Sequence, residues 1–255
     1  MAFDDLQFPM PVPDPNRPGE TKDTFDNVVG GSATYASFAA ACYAPVRIVA
    51  VVGDDFPKAT LEQLAKRQID TTGIEQATGL TFRWKGRYRP DMVGRDTLDT
   101  QLNVFADFRP KLPDSYRDTE VVLLGNIHPA LQLEVLDQVS SPQLVIADTM
   151  NFWISGEAET LAALLKRIDV LVINDEEARL LSGIHNIPHA AKDILARGPK
   201  KLIIKRGEYG SLYFDDDGVF AAPALPLETV ADPTGAGDSF AGGLVGHLAR
   251  QGNAR

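Results

Sequence analysis

Near the C-terminal end of the chain, Asp232-Pro233-Thr234-Gly235-Ala236-Gly237-Asp238-Ser239-Phe240 sets glycines and carboxylates directly before residues 241–248, a small and apolar run with the composition of a buried helix. The glycines therefore stand at a predicted helix N-terminus. There the first backbone N–H groups lack intrahelical acceptors and the helix dipole is positive, so an anion can be bound without a basic side chain. Glycine permits the close backbone approach and the positive φ that such a turn needs. A carboxylate in the same turn repels phosphate unless it has a task of its own. Asp238 is placed to take the proton of a hydroxyl that attacks a phosphoryl group held beside it. Taken singly, each of these residues also fits a plain loop in which Asp238 only complements the helix dipole.

Other strings carry weaker chemistry. Gly30-Gly31-Ser32-Ala33-Thr34-Tyr35-Ala36 opens a second predicted helix, with Ser32 or Thr34 as its cap on local rules. Asn174-Asp175-Glu176-Glu177 follows the apolar run 170–173 and offers oxygen ligands where a hard cation can sit, or simply an Asn cap with an acidic first turn. Lys205-Arg206-Gly207-Glu208-Tyr209-Gly210 follows 202–204 and reads as a turn whose glycines let a ligand approach the backbone. Asn126 and Asp148 end the runs 121–124 and 144–147, where strands of an open α/β sheet face the ligand cleft. His128, His185, His189 and His247 lack metal-ligand spacing, and Asp215 to Asp217 reads as a solvated turn.

The elements that must position these groups follow from periodicity. Residues 8–26 contain Pro9, Pro11, Pro13, Pro15 and Pro18 without apolar periodicity and are expected to form an extended loop. Helices are expected at 33–43 and 57–67, with a buried strand at 47–52. From 81 to 105, alternation with Phe82, Trp84, Tyr88 and Phe105 suggests an exposed β-element, in which Trp84 and Tyr88 can stack on a ligand or pack on the domain. Beyond it come strand 121–124, helix 131–139, strand 144–147, helix 157–167, strand 170–173, helices 176–181 and 190–196, strand 202–204 and a meander through 211–214 and 218–221. Apolar strands separated by helices indicate an α/β fold with a mostly parallel sheet covered on both faces.

Length and composition agree. A chain of 255 residues, 44% hydrophobic and 24% charged, can bury a full core as one large domain or two small ones. A net charge of −10 argues against nucleic acid and anionic membranes as partners. No run approaches roughly 18 apolar residues, and the N-terminus lacks a basic segment followed by an apolar one, so no membrane span or signal peptide is expected and the location defaults to the cytoplasm. The single Cys42 lies in the apolar run 39–43, where core packing is expected. Neither Gly-x-Gly-x-x-Gly after an early strand nor Gly-Lys-Ser/Thr is present, which disfavours a dinucleotide oxidoreductase and a P-loop kinase.

The string 232–238 closely resembles the Asp-Thr-x-Gly-Ala-Gly-Asp signature of the ribokinase (PfkB) family of carbohydrate and nucleoside kinases, with Pro233 as a departure, and 30–36 resembles the family's other, glycine-pair signature. The resemblance implies a ribokinase-like fold with a small β-lid near residues 78–108. It implies ATP and Mg2+ as cofactors and a sugar or nucleoside hydroxymethyl group as acceptor. It makes Asp238 the catalytic base and Gly235, Ala236 and Gly237 the anion hole, with Asp232 and Thr234 where some members bind a monovalent cation. Asn174, Lys205, Gly207 and Gly210 are then nucleotide contacts, Glu177 lies near the magnesium, and Asp4, Gly30, Gly31 and Asn126 face the acceptor. Many relatives carry asparagine where this chain has Tyr35, so no acceptor contact is transferred to it. Relatives also have a strand before the segment Ala2-Phe3-Asp4-Asp5 and helices after the Asp238 motif, so this domain is expected to be incomplete at both ends. That expectation supports a rival reading, a sugar- or nucleoside-binding protein without catalysis. Pairing of lid strands in a homodimer is compatible with the family frame, and light scattering decides it.

Overall fold

The computed structural model describes residues 1–92 and 94–252. They divide into two compact units, Met1–Phe108 with Leu227–Gly242, and Arg109–Pro226 with the chain from Gly243 onward.

The first unit opens with strands β1 (Ala2–Pro13) and β2 (Thr21–Gly30), then helix α1 (Ser32–Ala40), strand β3 (Val46–Val52), helix α2 (Lys58–Lys66) and strands β4 (Ile69–Gln76), β5 (Arg83–Tyr88) and β6 (Arg95–Gln101). A four-stranded sheet has the order β2-β1-β5-β6, and β3 and β4 form a separate parallel pair. In the larger sheet β1 runs antiparallel to β2 and parallel to β5, with β6 antiparallel to β5.

The loop expected over residues 8–26 is instead the greater part of the β1–β2 hairpin. Phe8, Val12 and Phe25 are buried with Leu6 and Tyr88 in one cluster. Pro9 and Pro11 are tolerated because the pairing register shifts between Gln7 and Val12, a bulged stretch where amides need not join the ladder, and Pro15 and Pro18 lie in the connection between the strands. Cys42 also departs from expectation: it lies beyond the end of α1 and is exposed, with Sγ 3.6 Å from the Phe38 carbonyl oxygen. Strand β4 was not visible in the sequence, because its polar residues match no buried-strand pattern.

The second unit contains β7 (Val121–Leu124), α3 (Pro129–Leu136), β8 (Leu144–Asp148), α4 (Asn151–Gly156), α5 (Ala158–Leu165), β9 (Val170–Asn174), α6 (Asp175–Ser182), α7 (Ile187–Leu195), β10 (Lys201–Lys205), β11 (Ser211–Asp215) and β12 (Gly218–Ala222). The sheet order is β12-β11-β10-β9-β8-β7, parallel from β7 to β10 and antiparallel beyond. Apolar runs with no alternation make strands buried on both faces: Ile146, Leu171, Ile173, Leu202 and Ile204 have no measurable exposure. The antiparallel end differs, since β12 exposes Val219 and Phe220 at 63% and 65% and has one strand neighbour among the described residues.

Helix α8 (Ala236–Gln251) begins in the first unit. A Cβ on its Gly242 would collide with the backbone of Ala36 in α1. Small residues at both positions therefore let the two backbones touch, which fixes where the start of α8 lies against α1.

Candidate active site

The first unit gathers the strongest sequence candidates. Gly235 precedes α8 with φ at 72°, a conformation that costs a side-chain-bearing residue about 1–2 kcal/mol. A Cβ there would also collide with the ring of Tyr35, which lies against the glycine. The turn is tied by three hydrogen bonds: Thr234 N–H donates to Asp232 Oδ1 (2.8 Å), Ala236 N–H to Pro233 O (3.2 Å) and Ser239 N–H to Gly235 O (2.8 Å). Of the three amides expected in the anion hole, Ala236 is thus used within the turn. The Gly235 and Gly237 amides have no protein acceptor among the described residues. Asp238 follows them in the first helical turn, half-buried.

Asp4, on β1, is 5% exposed. Its carboxylate lies against Gly30, where a Cβ would overlap it and would also stand 3.4 Å from the Tyr35 hydroxyl oxygen. Gly31, with φ at 85°, leads into α1, and a Cβ on it would meet the Ala2 nitrogen at 3.0 Å. The glycine pair therefore gives room to β1 and to the Asp4 side chain. Burial, followed by the neighbouring carboxylates of Asp238, Asp232 and Asp5, pushes the Asp4 carboxyl up to about 7. Burial likewise raises Tyr35 and Tyr88, so both phenols stay protonated near neutrality. Asp4, Gly30, Gly31, Tyr35, Asp232, Thr234, the glycine turn and Asp238 thus form one constellation.

The raised Asp4 pKa has a stability consequence. The folded state holds that proton more tightly than an unfolded aspartate, which titrates near about 3.9. The stabilisation by protonation is present in full below about pH 4 and is lost as pH rises through about 7. Asp4→Asn, permanently neutral, should therefore gain thermal midpoint relative to the parent protein as pH goes from 4 to 7 in differential scanning calorimetry. Parallel pH profiles for the two proteins would refute the shift.

In the second unit the candidates cluster at strand ends. Asn174 caps α6: its Oδ1 accepts the Glu177 N–H (2.8 Å), and Glu177 Oε2 accepts the Asn174 N–H (2.7 Å). The capping box is thus real, and it aligns both side chains at the end of β9. Lys205, at the end of β10, has its ammonium 3.7 Å from Asp148 Oδ2 at the end of β8. Gly207 has φ at 55° with open space where a Cβ would point. Gly210 has φ at 86° and packs against the backbone of residues 222–224, so its smallness serves the fold locally. Asn126 Oδ1 accepts a hydrogen bond from Trp153 Nε1 (3.0 Å), and the Trp153 ring lies 5.0 Å from that of His128. Gln132, fully buried, donates to the carbonyls of Gly125 (2.8 Å) and Asp148 (3.0 Å) and so ties the ends of β7 and β8 together. Neither Trp153 nor Gln132 was singled out in the sequence. The short helix α4, which carries Trp153, gave no periodic signal, whereas a glutamine amid the apolar residues of α3 was a cue in plain view.

Among the described residues, no group of three or more His, Cys, Asp or Glu side chains converges as a metal site. Asp232 and Thr234 belong to the first unit and Glu177 to the second. No described helix is long and apolar enough to cross a membrane.

This architecture is that of the ribokinase-like small-molecule kinases. The fold matches ribokinase from Thermotoga maritima with a TM-score of 0.73 at 22% identity, over 99% of this chain and 84% of that one. It matches a Burkholderia thailandensis nucleoside kinase, determined with inosine, with a TM-score of 0.72 at 18% identity, over 98% and 82% of the two chains. The model of the pfkB family of carbohydrate kinases matches residues 10–255, and the chain belongs to that family. Cytidine kinase of Thermococcus kodakarensis is 30% identical over 227 residues, 87% of this chain and 80% of that protein. The 2-dehydro-3-deoxygluconokinase of Thermoproteus tenax is 26% identical over 253 residues, 86% and 72% of the two. The protein is accordingly a kinase of the carbohydrate and nucleoside class.

Proposed function

We propose that this chain transfers the γ-phosphoryl group of ATP to a hydroxymethyl group of a sugar or nucleoside. One observation carries the proposal: two turn amides without protein acceptors among the described residues stand beside a carboxylate at the start of α8. Asp238 draws the proton from the attacking hydroxyl, and the Gly235 and Gly237 amides hold charge on the transferred group. Asp4 orients the acceptor by taking hydrogen bonds from its hydroxyls. In the second unit, Lys205 and the open backbone at Gly207 are the proposed nucleotide contacts.

Magnesium fits this residue set, since the ion is commonly carried by substrate phosphates with one or two protein carboxylates rather than by an all-protein cage. When bound, it neutralises charge on the phosphate oxygens. Glu177 is the proposed neighbour of that ion, through water, because its Oε2 is engaged in the capping box. For a monovalent cation, Asp232 and Thr234 supply a carboxylate and a hydroxyl, although the hydroxyl is already hydrogen-bonded to Tyr88. An ATP-dependent activity fits the cytoplasm.

A coupled ADP-release assay with cytidine, D-ribose, D-fructose and 2-dehydro-3-deoxygluconate tests the reading. Turnover with at least one acceptor is expected. Calorimetric binding of an acceptor with no turnover on any would replace the kinase by a binding protein.

A further inference from the structure

We infer that Tyr88 is a positioning residue for phosphoryl transfer, because its phenol on β5 holds the Thr234 hydroxyl and thereby fixes the turn that presents the Gly235 and Gly237 amides. The inference rests on the reading of that turn as the phosphate site. The two hydroxyl oxygens are 2.8 Å apart although the residues are 146 positions apart in sequence. Such a bond ties the last residue of a strand in the four-stranded sheet to a loop from the far end of the chain.

The mount of the phenol is rigid. Tyr88 is 4% exposed and lies in one cluster with Leu6, Phe8, Val12 and Phe25. Its ring stacks on Phe8 at 5.4 Å between centroids and 4° between planes. A hydroxyl held so firmly leaves little freedom to the group it binds. Besides the backbone bonds within it, the turn is held by the Asp232 carboxylate on the Thr234 N–H and by the Tyr35 ring against Gly235. The first is local to the turn and the second is a packing contact. Tyr88 supplies a side-chain hydrogen bond to the turn from another element.

Direction of the two amides matters because they must meet charge that develops on a transferred group. A displacement of about 1 Å in a reacting geometry costs on the order of 10²-fold in rate. Losing this cross-element bond should allow part of such a displacement. The Tyr88 ring remains in Tyr88→Phe, so the cluster around Phe8 stays packed.

The test is a double-mutant cycle on Tyr88→Phe and Thr234→Val with the acceptor that gives the highest turnover in the panel above. Each variant is expected to lower kcat about 10-fold, and the double variant no further, because both remove the same bond. Thr234→Ser, which keeps a hydroxyl, should recover most of the rate, and the thermal midpoint of Tyr88→Phe should stay near that of the parent. Unchanged kcat in Tyr88→Phe with a lowered midpoint would make the bond structural only and overturn the inference, as would additive effects in the double variant. If the parent turns over no acceptor, the phosphate-site reading itself falls and this inference with it. Turnover by the parent with an insensitive Tyr88→Phe removes this inference alone.

Discussion

Asp238→Asn is expected to lower kcat by about 10²- to 10⁴-fold, the range typical of a lost general base, with ADP affinity by calorimetry changed no more than a few-fold. The substitution is nearly isosteric and leaves the turn amides in place, so nucleotide binding and proton removal separate cleanly. Two stability effects oppose each other. The Asp238 charge complements the dipole at the start of α8, worth about 0.3–1 kcal/mol at such sites. The same charge raises the pKa of buried Asp4, so removing it relieves a repulsion. A thermal midpoint close to that of the parent is therefore expected, and the rate loss will not be a folding defect. Full activity in Asp238→Asn would remove the base from the proposed function.

The second large effect is expected at Gly235. In Gly235→Ala the backbone must either keep φ near 72° at a strain of about 1–2 kcal/mol or abandon the turn. The new methyl also collides with the base of the Tyr35 ring, Cγ and Cδ2, which cannot swing aside as the tip of a long side chain would. Strain alone would cost roughly 10-fold, but strain with a collision should move the turn, and a shift of about 1 Å takes the loss to about 10²-fold in kcat/KM for ATP. Adding Tyr35→Ala to Gly235→Ala removes the collision and leaves only the strain, so part of the loss should return. Steady-state kinetics with varied ATP checks both variants. Wild-type kcat/KM in Gly235→Ala would show that the turn needs no glycine and does not meet the phosphates at close range.

What could be read from the sequence depended on whether the cause was local. The strand ends read at 124, 147, 173 and 204 lie within one residue of the observed ends at 124, 148, 174 and 205, because strands covered on both faces are uninterrupted apolar runs with clear punctuation after them. The glycine turn was legible because its residue types have few other uses at a helix start. The β1–β2 hairpin was obscured by its prolines, whose tolerance depends on a bulge that only the paired strand reveals. Tyr88 was left open between ligand stacking and packing. The structure resolves it as packing on Phe8, with a hydroxyl reaching Thr234, a contact across 146 positions that no local pattern encodes. The exposure of Cys42 was likewise illegible, because α1 ends at Ala40, earlier than the apolar run suggests.

The outer strand β12, with Val219 and Phe220 exposed, has a bearing on handling the protein. An open strand edge carrying apolar side chains is a template for intermolecular pairing. The countervailing influence is mutual repulsion between molecules of net charge −10. That repulsion shrinks as ionic strength rises, with a Debye length of about 10 Å at 0.1 M and 3 Å at 1 M, and it vanishes near the isoelectric point of 4.9. Concentrated stocks are therefore best kept in dilute buffer well above that pH, where colloidal repulsion guards the open edge.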